Sequence, residues 1–298
     1  MRLEEKLKKI GPPDRKAMAL AEARWRSVAK PLHSLGVLEK DIVKIAGMTG
    51  DPKVSLEKKA LVIMCADNGI VEEGVTQTGQ EVTAVVTENF THGNACSCIM
   101  ADMAGTDVFP VDIGVASPLE NCGNRHPLIR RKIRFGTDDF CRGPAMTREE
   151  AEQAVMAGIA IAEELKEKGY GIIATGEMGI GNTTTSSAVV SVLLDTRPEQ
   201  VTGRGAGLSD QGLAKKVQVI REGIRRNQPD KEDGLDVLSK VGGLDLAGLA
   251  GIYLGGALCH MPVVADGFIS GAAALAARAL CPYAADYMLA SHVSSEPA

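Results

Sequence analysis

Four short runs of consecutive apolar residues end in the same manner along this chain. Lys59–Ala66 runs into Asp67, Asn68 and Gly69, and Val108–Val111 runs into Asp112 and Gly114. Ile172–Thr175 runs into Gly176 and Glu177, and Pro262–Ala265 into Asp266 and Gly267. Because the runs are continuous rather than alternating, they predict strands covered on both faces. Segments of helical period separate them, at about 80–104, 147–168, 183–194, 209–226, 245–258 and 270–280. The second has a marked start, with Thr147 and Glu150 in capping-box spacing, and a marked end at Lys168–Gly169. Alternation of strand and helix predicts an α/β fold with a doubly wound, mostly parallel sheet. Ligands bind such sheets beyond the carboxyl ends of the strands, where these Asp, Glu and Gly residues fall.

The first fifty residues differ, reading as helices at about 14–30 and 38–47 with Pro31 and Gly36 between them. With the stretch from Tyr283 onward they are expected to form a small helical domain, 1–50 plus 283–298. The remainder, 51–282, reads as a large Rossmann-like domain.

Composition narrows the functional classes. Aromatic residues are only 3% of the chain and glycines number 33, which suits close-packed helices and shaped loops better than a β-sandwich. The net charge of −5, without a basic stripe interleaved with aromatics, argues against nucleic acid as a partner. Seven cysteines without a CxxC pair read as reduced thiols in a cytoplasmic protein. The charged start, MRLEEKLKKIGPPDRK, has no secretory pattern. Residues 246–265 carry little charge over about a bilayer's length. Their glycines, His260 and Pro262 nevertheless predict a buried helix, a break and a short strand.

Two glycine loops carry the candidate chemistry. Gly176, Gly179 and Gly181 precede a helix whose N-cap is expected at Asn182 or Thr183. Free N–H groups at a helix start suit a phosphate, but the loop lacks the GK[ST] of a P-loop and the dinucleotide spacing. From spacing alone, phosphate binding and a tight strand–helix turn fit it equally well. The second loop has glycine at 203, 205 and 207, followed by a capped helix with Lys215 and Lys216. Alternating glycines let successive N–H groups converge on one anion, and a lysine in the next helix can add a full charge. At least one of the two lysines must be an ordinary solvated one.

Asp67, Asp112 and Asp266 each fit loop caps better than catalysis. Glu177, inside a glycine loop, has no cap to serve and is the candidate catalytic residue. The five histidines and the carboxylates show no ligand spacing, so neither a metal nor another cofactor is expected.

GEMGIGNTTTSSA resembles the signature of the nicotinate-nucleotide:dimethylbenzimidazole phosphoribosyltransferase family, which makes the lower-ligand nucleotide of cobamides. The likeness continues in ADNGIVEEGVTQTGQEVT, VDIGV, GPAMTREEAEQAVMAG, GRGAGLSDQGLAKK, VGGLDLAGLAG, VVADGFISGAAAL and SHVSSEP, and so covers essentially the whole chain. It implies a parallel-sheet large domain, a small domain from both termini, and a dimer, either of identical chains or of paralogues. The implied reaction takes phosphoribose from nicotinate mononucleotide to an aromatic base. By this resemblance Glu177 faces the reacting groups. Gly176, Met178, Gly179, Ile180, Gly181, Asn182, Thr183, Gly203, Arg204 and Gly205 line the nucleotide, and Lys216 lies near its phosphate. Asp266, Gly267, Ser291 and His292 border it, and Thr78, Gln80 and Val86 fall in the acceptor pocket.

Two departures qualify that expectation. Family members carry a general-base glutamate in an LGEGTGA-like segment after SHxSxEP, and no counterpart is expected here, since Glu296 matches the Glu of SHxSxEP itself. Val86 stands where a polar side chain is common, which puts dimethylbenzimidazole in question as the acceptor. The primary expectation is transfer to a benzimidazole or phenolic base. The alternatives are a subunit of a heterodimer of paralogues, and a nucleotide-binding scaffold without turnover.

Overall fold

The computed structural model describes residues 2–297. Its helices are α1 (Leu3–Leu7), α2 (Arg15–Ser27), α3 (Val37–Thr49), α4 (Glu81–His92), α5 (Cys96–Met103) and α6 (Arg148–Glu167). They continue as α7 (Asn182–Leu193), α8 (Pro198–Val201), α9 (Asp210–Asn227), α10 (Gly234–Val241), α11 (Leu244–Leu258) and α12 (Phe268–Leu280). The strands are β1 (Lys59–Ala66), β2 (Thr106–Gly114), β3 (Ile129–Arg130), β4 (Ile172–Met178), β5 (Val263–Ala265) and β6 (Met288–Ala290).

All six strands run parallel in the order β3-β2-β1-β4-β5-β6. The doubly wound sheet expected from the apolar runs is therefore present. Winding reverses between β1 and β4, which pair from Lys59 opposite Ile172 to Cys65 opposite Met178. A crevice opens at the carboxyl ends of two such strands because their onward connections leave in opposite directions. Asn68 follows one of these strands and Glu177 ends the other.

Under the sheet lies α11, buried from Leu244 to Ala257. It meets α6 backbone to backbone. A methyl added at Gly158 would fall 2.1 Å from the Gly248 carbonyl oxygen, and one at Gly251 would fall 2.1 Å from that of Val155. Glycine at these positions lets the axes approach more closely than any side chain would allow. The capping box of α6 forms as read: Glu150 N–H donates to Thr147 Oγ1 at 3.1 Å, and Thr147 N–H to the Glu150 carboxylate at 2.8 Å. Among the described residues no helix is long and apolar enough to cross a membrane. The low-charge stretch is α11, a turn and β5.

Several elements differ from expectation. The helix expected at 80–104 is two, because Gly93 takes a left-handed φ of 77° that ends α4. Tyr283 onward does not form a helical unit. A 3-10 turn over Pro282–Tyr287 leads into β6, which pairs with β5 at the sheet edge. This segment still touches the amino-terminal region, with Tyr287 Oη donating to the Gly11 carbonyl and Lys44 Nζ to that of Met288. Finally α1, α8, α10 and β3 had no counterpart in the sequence reading. The amino-terminal helices α2 and α3 pack on each other around Ala21, Val43 and Ala46.

Candidate active site

Glu177 is not in a loop. It is the penultimate residue of β4, paired in register with Met64 of β1, so the sheet sets its position. The loop it precedes is the tight turn from strand to helix. Gly181 at φ 95°, and not Asn182 or Thr183, is the N-cap of α7. Asn182 thereby enters the first turn with its side chain free for another task. Its Nδ2 donates to Glu177 Oε2 and, at 3.1 Å, to Asp245 Oδ2.

One amide thus holds two carboxylates. Asp245 is fully buried at the start of α11 and also accepts from the Leu246 N–H at 2.9 Å. Burial, reinforced by the charges of Asp245 and Asp266, pushes the Glu177 carboxyl up to about 7, against the opposing Asn182 hydrogen bond. Burial raises Asp245 to about 6 despite bonds from Asn182 and the backbone. Both carboxyls are therefore held above the ordinary carboxylate range, so the pair can take up or release a proton more readily near neutral pH than an exposed carboxylate. Beside it the Asn68 amide is buried, and among the described residues its oxygen and nitrogen have no hydrogen-bond partner.

Two hollows meet at Glu177. An apolar cleft of about 380 Å³ is lined by Leu61, Ile63, Phe90, Met100, Ala174 and Gly176, with Glu177, Asp266 and Ser291 supplying polar groups. A smaller hollow of about 170 Å³ is lined by Glu177, Thr183, Asp266, Gly267, Ser270, Ser294 and Glu296. Behind it lies Lys216, only 1% exposed, donating to Thr183 Oγ1 at 2.9 Å and to the Gly203 carbonyl at 3.2 Å. Burial lowers its ammonium to about 8 against the upward pull of the Glu296 charge. Lys215 is exposed, so the two adjacent lysines separate as solvated and buried.

Most of the sequence-predicted residues converge here. Ser291 Oγ donates to the Asp266 carbonyl at 2.9 Å and lies 2.8 Å from His292 Nδ1, beside Gly267. Gly203 and Gly205 flank Lys216 and Thr183. Met178 packs on the cluster that contains Ile63 and Cys65. Others are engaged differently. The Ile180 N–H donates to Thr83 Oγ1 and the Asn182 N–H to the Gly179 carbonyl, so these amides already have protein partners. Arg204 is exposed, bonded to Asp210 and to the Leu208 carbonyl. Gln80 donates to the Asn68 carbonyl, Thr78 is exposed, and Val86 packs with Phe90 and Ala84. Asp67 and Asp112 are loop caps, accepting from the Ala116 and Val115 N–H groups.

The sequence reading missed Asp245, Asn68 and the bridging role of Asn182. One signal was present: Asp245 is the only charged residue at the head of a long apolar helix. Outside the hollows, Glu73, Asp139 and Cys141 bring ligand atoms within 4.8 Å of one another, but Arg142 Nε lies 3.3 Å from the Asp139 carboxylate and supplies the positive charge there.

This arrangement of carboxylates, buried lysine and apolar cleft belongs to a chain with well-matched relatives. A family profile described as phosphoribosyltransferase matches residues 10–298. The nicotinate-nucleotide–dimethylbenzimidazole phosphoribosyltransferase of Acetivibrio thermocellus is 48% identical over 295 residues, spanning 99% of this chain and 83% of that protein. The enzyme of the same name from Roseiflexus is also 48% identical, over 99% and 82% of the two chains. A crystal structure of the Thermus thermophilus enzyme matches with a TM-score of 0.88 at 39% identity, over 95% of this chain and 83% of that one. Sequence identity of this extent and a shared backbone agree with the motif likeness, and the chain belongs to the nicotinate-nucleotide–dimethylbenzimidazole phosphoribosyltransferase family.

Proposed function

We propose that this phosphoribosyltransferase moves the phosphoribosyl group of nicotinate mononucleotide to a ring nitrogen of a benzimidazole-class base and releases nicotinate. The observation that carries the reading is the Glu177–Asn182–Asp245 bridge where the two hollows meet, with Lys216 behind the smaller one. In this reading the phosphate lies at Gly203, Gly205 and Lys216, the ribose beside Glu177, and the incoming ring in the apolar cleft.

The chemistry follows from those positions. The C1′–N bond breaks with its electron pair going to the pyridinium nitrogen, so nicotinate leaves without needing a proton. Positive charge grows on the ribose, and the Glu177 carboxylate stabilises it in a partly dry site. The ring nitrogen of the base supplies the new bond's electron pair and the base then loses its N–H proton. Asp245 keeps Glu177 oriented through Asn182, and burial together with the Asp245 charge raises the Glu177 proton affinity so that it can receive that proton near neutral pH.

A second reading, transfer to a phenolic oxygen by a heterodimer of paralogues, is supported by apolar Val86, which packs on the cluster that contains the cleft residue Phe90. An imidazole nitrogen would find no hydrogen bond from that side chain. Dimer formation, with an identical chain or a paralogue, and a cytoplasmic location belong to the same proposal. The test is incubation with nicotinate mononucleotide and a panel of benzimidazoles, adenine, phenol and p-cresol, with mass-spectrometric detection of ribosylated product. A benzimidazole riboside phosphate supports the first reading and a phenolic product the second. Nucleotide binding with no product from any base overturns the first reading and leaves a heterodimer subunit or a scaffold, which addition of a co-purifying paralogue separates: restored turnover supports the second reading, and no turnover supports a scaffold.

A further inference from the structure

The glycine loop beside Lys216 already holds an anion, and it comes from the chain itself. The Gly205 N–H, at a residue with φ 54°, donates to Glu296 Oε1 at 3.1 Å. The other oxygen, Oε2, lies so close to the loop that a methyl added at Gly203 would fall 1.5 Å from it. That oxygen is buried and, among the described residues, accepts no hydrogen bond. Lys216 uses its ammonium on Thr183 and the Gly203 carbonyl and, among the described residues, has no ion pair within contact distance. Glu296 is the charge that raises its proton affinity.

We propose that Glu296 is a placeholder anion that the substrate phosphate displaces. This rests on the reading of Gly203, Gly205 and Lys216 as the phosphate cradle. The physical argument is one of imperfect fit. A buried ammonium with no counter-charge is costly, so an empty cradle needs some anion. A carboxylate brings one charge and two coplanar oxygens, and here it satisfies one of them and leaves the other orphaned. A phosphate monoester brings nearly two charges and three oxygens. It can accept from Gly205 and from the remaining ammonium N–H together. The exchange therefore favours a dianion over any monoanion, and Glu296 makes the cradle selective by charge. Ser294 shapes the strap that carries the carboxylate, its hydroxyl accepting from the Glu296 N–H at 3.2 Å. Because Glu296 borders the same hollow as Glu177, its departure also removes a competing negative charge from beside the ribose position.

The experiment compares the full chain with Glu296→Gln and Glu296→Ala by calorimetry, using inorganic phosphate, nicotinate mononucleotide and phosphate-free nicotinate riboside. Both variants should bind phosphate and the mononucleotide about tenfold more tightly, since roughly one charge-assisted hydrogen bond no longer competes. Affinity for the riboside should change less than twofold. Formate should compete with phosphate in Glu296→Ala and not in the unaltered chain. Hydrogen exchange over residues 291–297 of the unaltered chain should speed up when phosphate is added. Weaker or unchanged phosphate binding in Glu296→Gln, with exchange elsewhere unaltered, would overturn the placeholder while leaving the cradle reading standing. Phosphate and mononucleotide binding to none of the three proteins would overturn both.

Discussion

The two glycine loops look alike in sequence and do opposite things. In the first, around Gly176–Gly181, glycine is used for close packing. A methyl at Gly179 would lie 2.3 Å from the Ala66 carbonyl oxygen and 2.6 Å from Asp245 Oδ2. Its amides at Ile180 and Asn182 are already bonded within the protein. In the second, around Gly203–Gly207, glycine leaves an amide and a space that the Glu296 carboxylate fills. Counting glycines does not separate the cases. What separates them is whether the neighbouring backbone or a removable group occupies the volume the missing side chain would take.

The sharpest way to break this comparison is Glu177→Gln. If the first loop serves to set a charged group, kcat should fall about a hundredfold or more, the scale of losing a preorganised electrostatic contact. Mononucleotide affinity, measured by calorimetry, should stay within about threefold on the same argument. A parallel loss of both would make Glu177 a binding residue. In the unaltered chain kcat should rise with pH through about 7, where Glu177 ionises, and Glu177→Gln should lose that limb. The same raised proton affinity carries a stability sign. The folded chain binds more protons here than the unfolded one between the ordinary glutamate range and about 7. Stability should therefore fall as pH rises across that window, and chemical denaturation of Glu177→Gln should show a shallower fall.

Gly179→Ala comes next. Overlap with backbone and a buried carboxylate should cost about 1–3 kcal/mol, read as a lowered denaturation midpoint with an unchanged m-value. Gly203→Ala meets the far end of Glu296 instead and should leave the midpoint within about 1 kcal/mol. Equal losses at the two positions would erase the distinction between the loops. Lys216→Met should weaken mononucleotide binding about tenfold through loss of a charged hydrogen bond. Lys215→Met, on the solvated face, should change it less than about twofold.

Much of the framework was legible in the chain. Runs of four to eight apolar residues announced β1, β2, β4 and β5 because strands covered on both faces leave no polar positions to interrupt the run. The strands that escaped are short. β3 has two residues and β6 three, too few for any period to register, and both owe their existence to a neighbour already in the sheet. The site was legible where a residue's type betrayed it, as with Glu177. It was opaque where function arises from a long-range meeting. Asn182 and Asp245 stand 63 positions apart, and only the stacking of α11 beneath β4 makes them one group. The likeness to family motifs favoured Lys216 over Lys215, and burial separates them in the fold.

The interlocked glycines of α6 and α11 have an evolutionary consequence. Asp245 stands at the head of a helix whose backbone is wedged against another backbone at Gly158 and Gly251, so at those points no added side chain is tolerated. The cleft walls, by contrast, come from ordinary exchangeable side chains such as Leu61, Phe90 and Met100. If the cleft receives the incoming ring, as proposed, substitution at these walls would reshape the acceptor position while the paired carboxylates stay fixed to the scaffold. On that proposal a lineage would change its preferred acceptor by drift at a few wall positions, without first disassembling the machinery that acts on it.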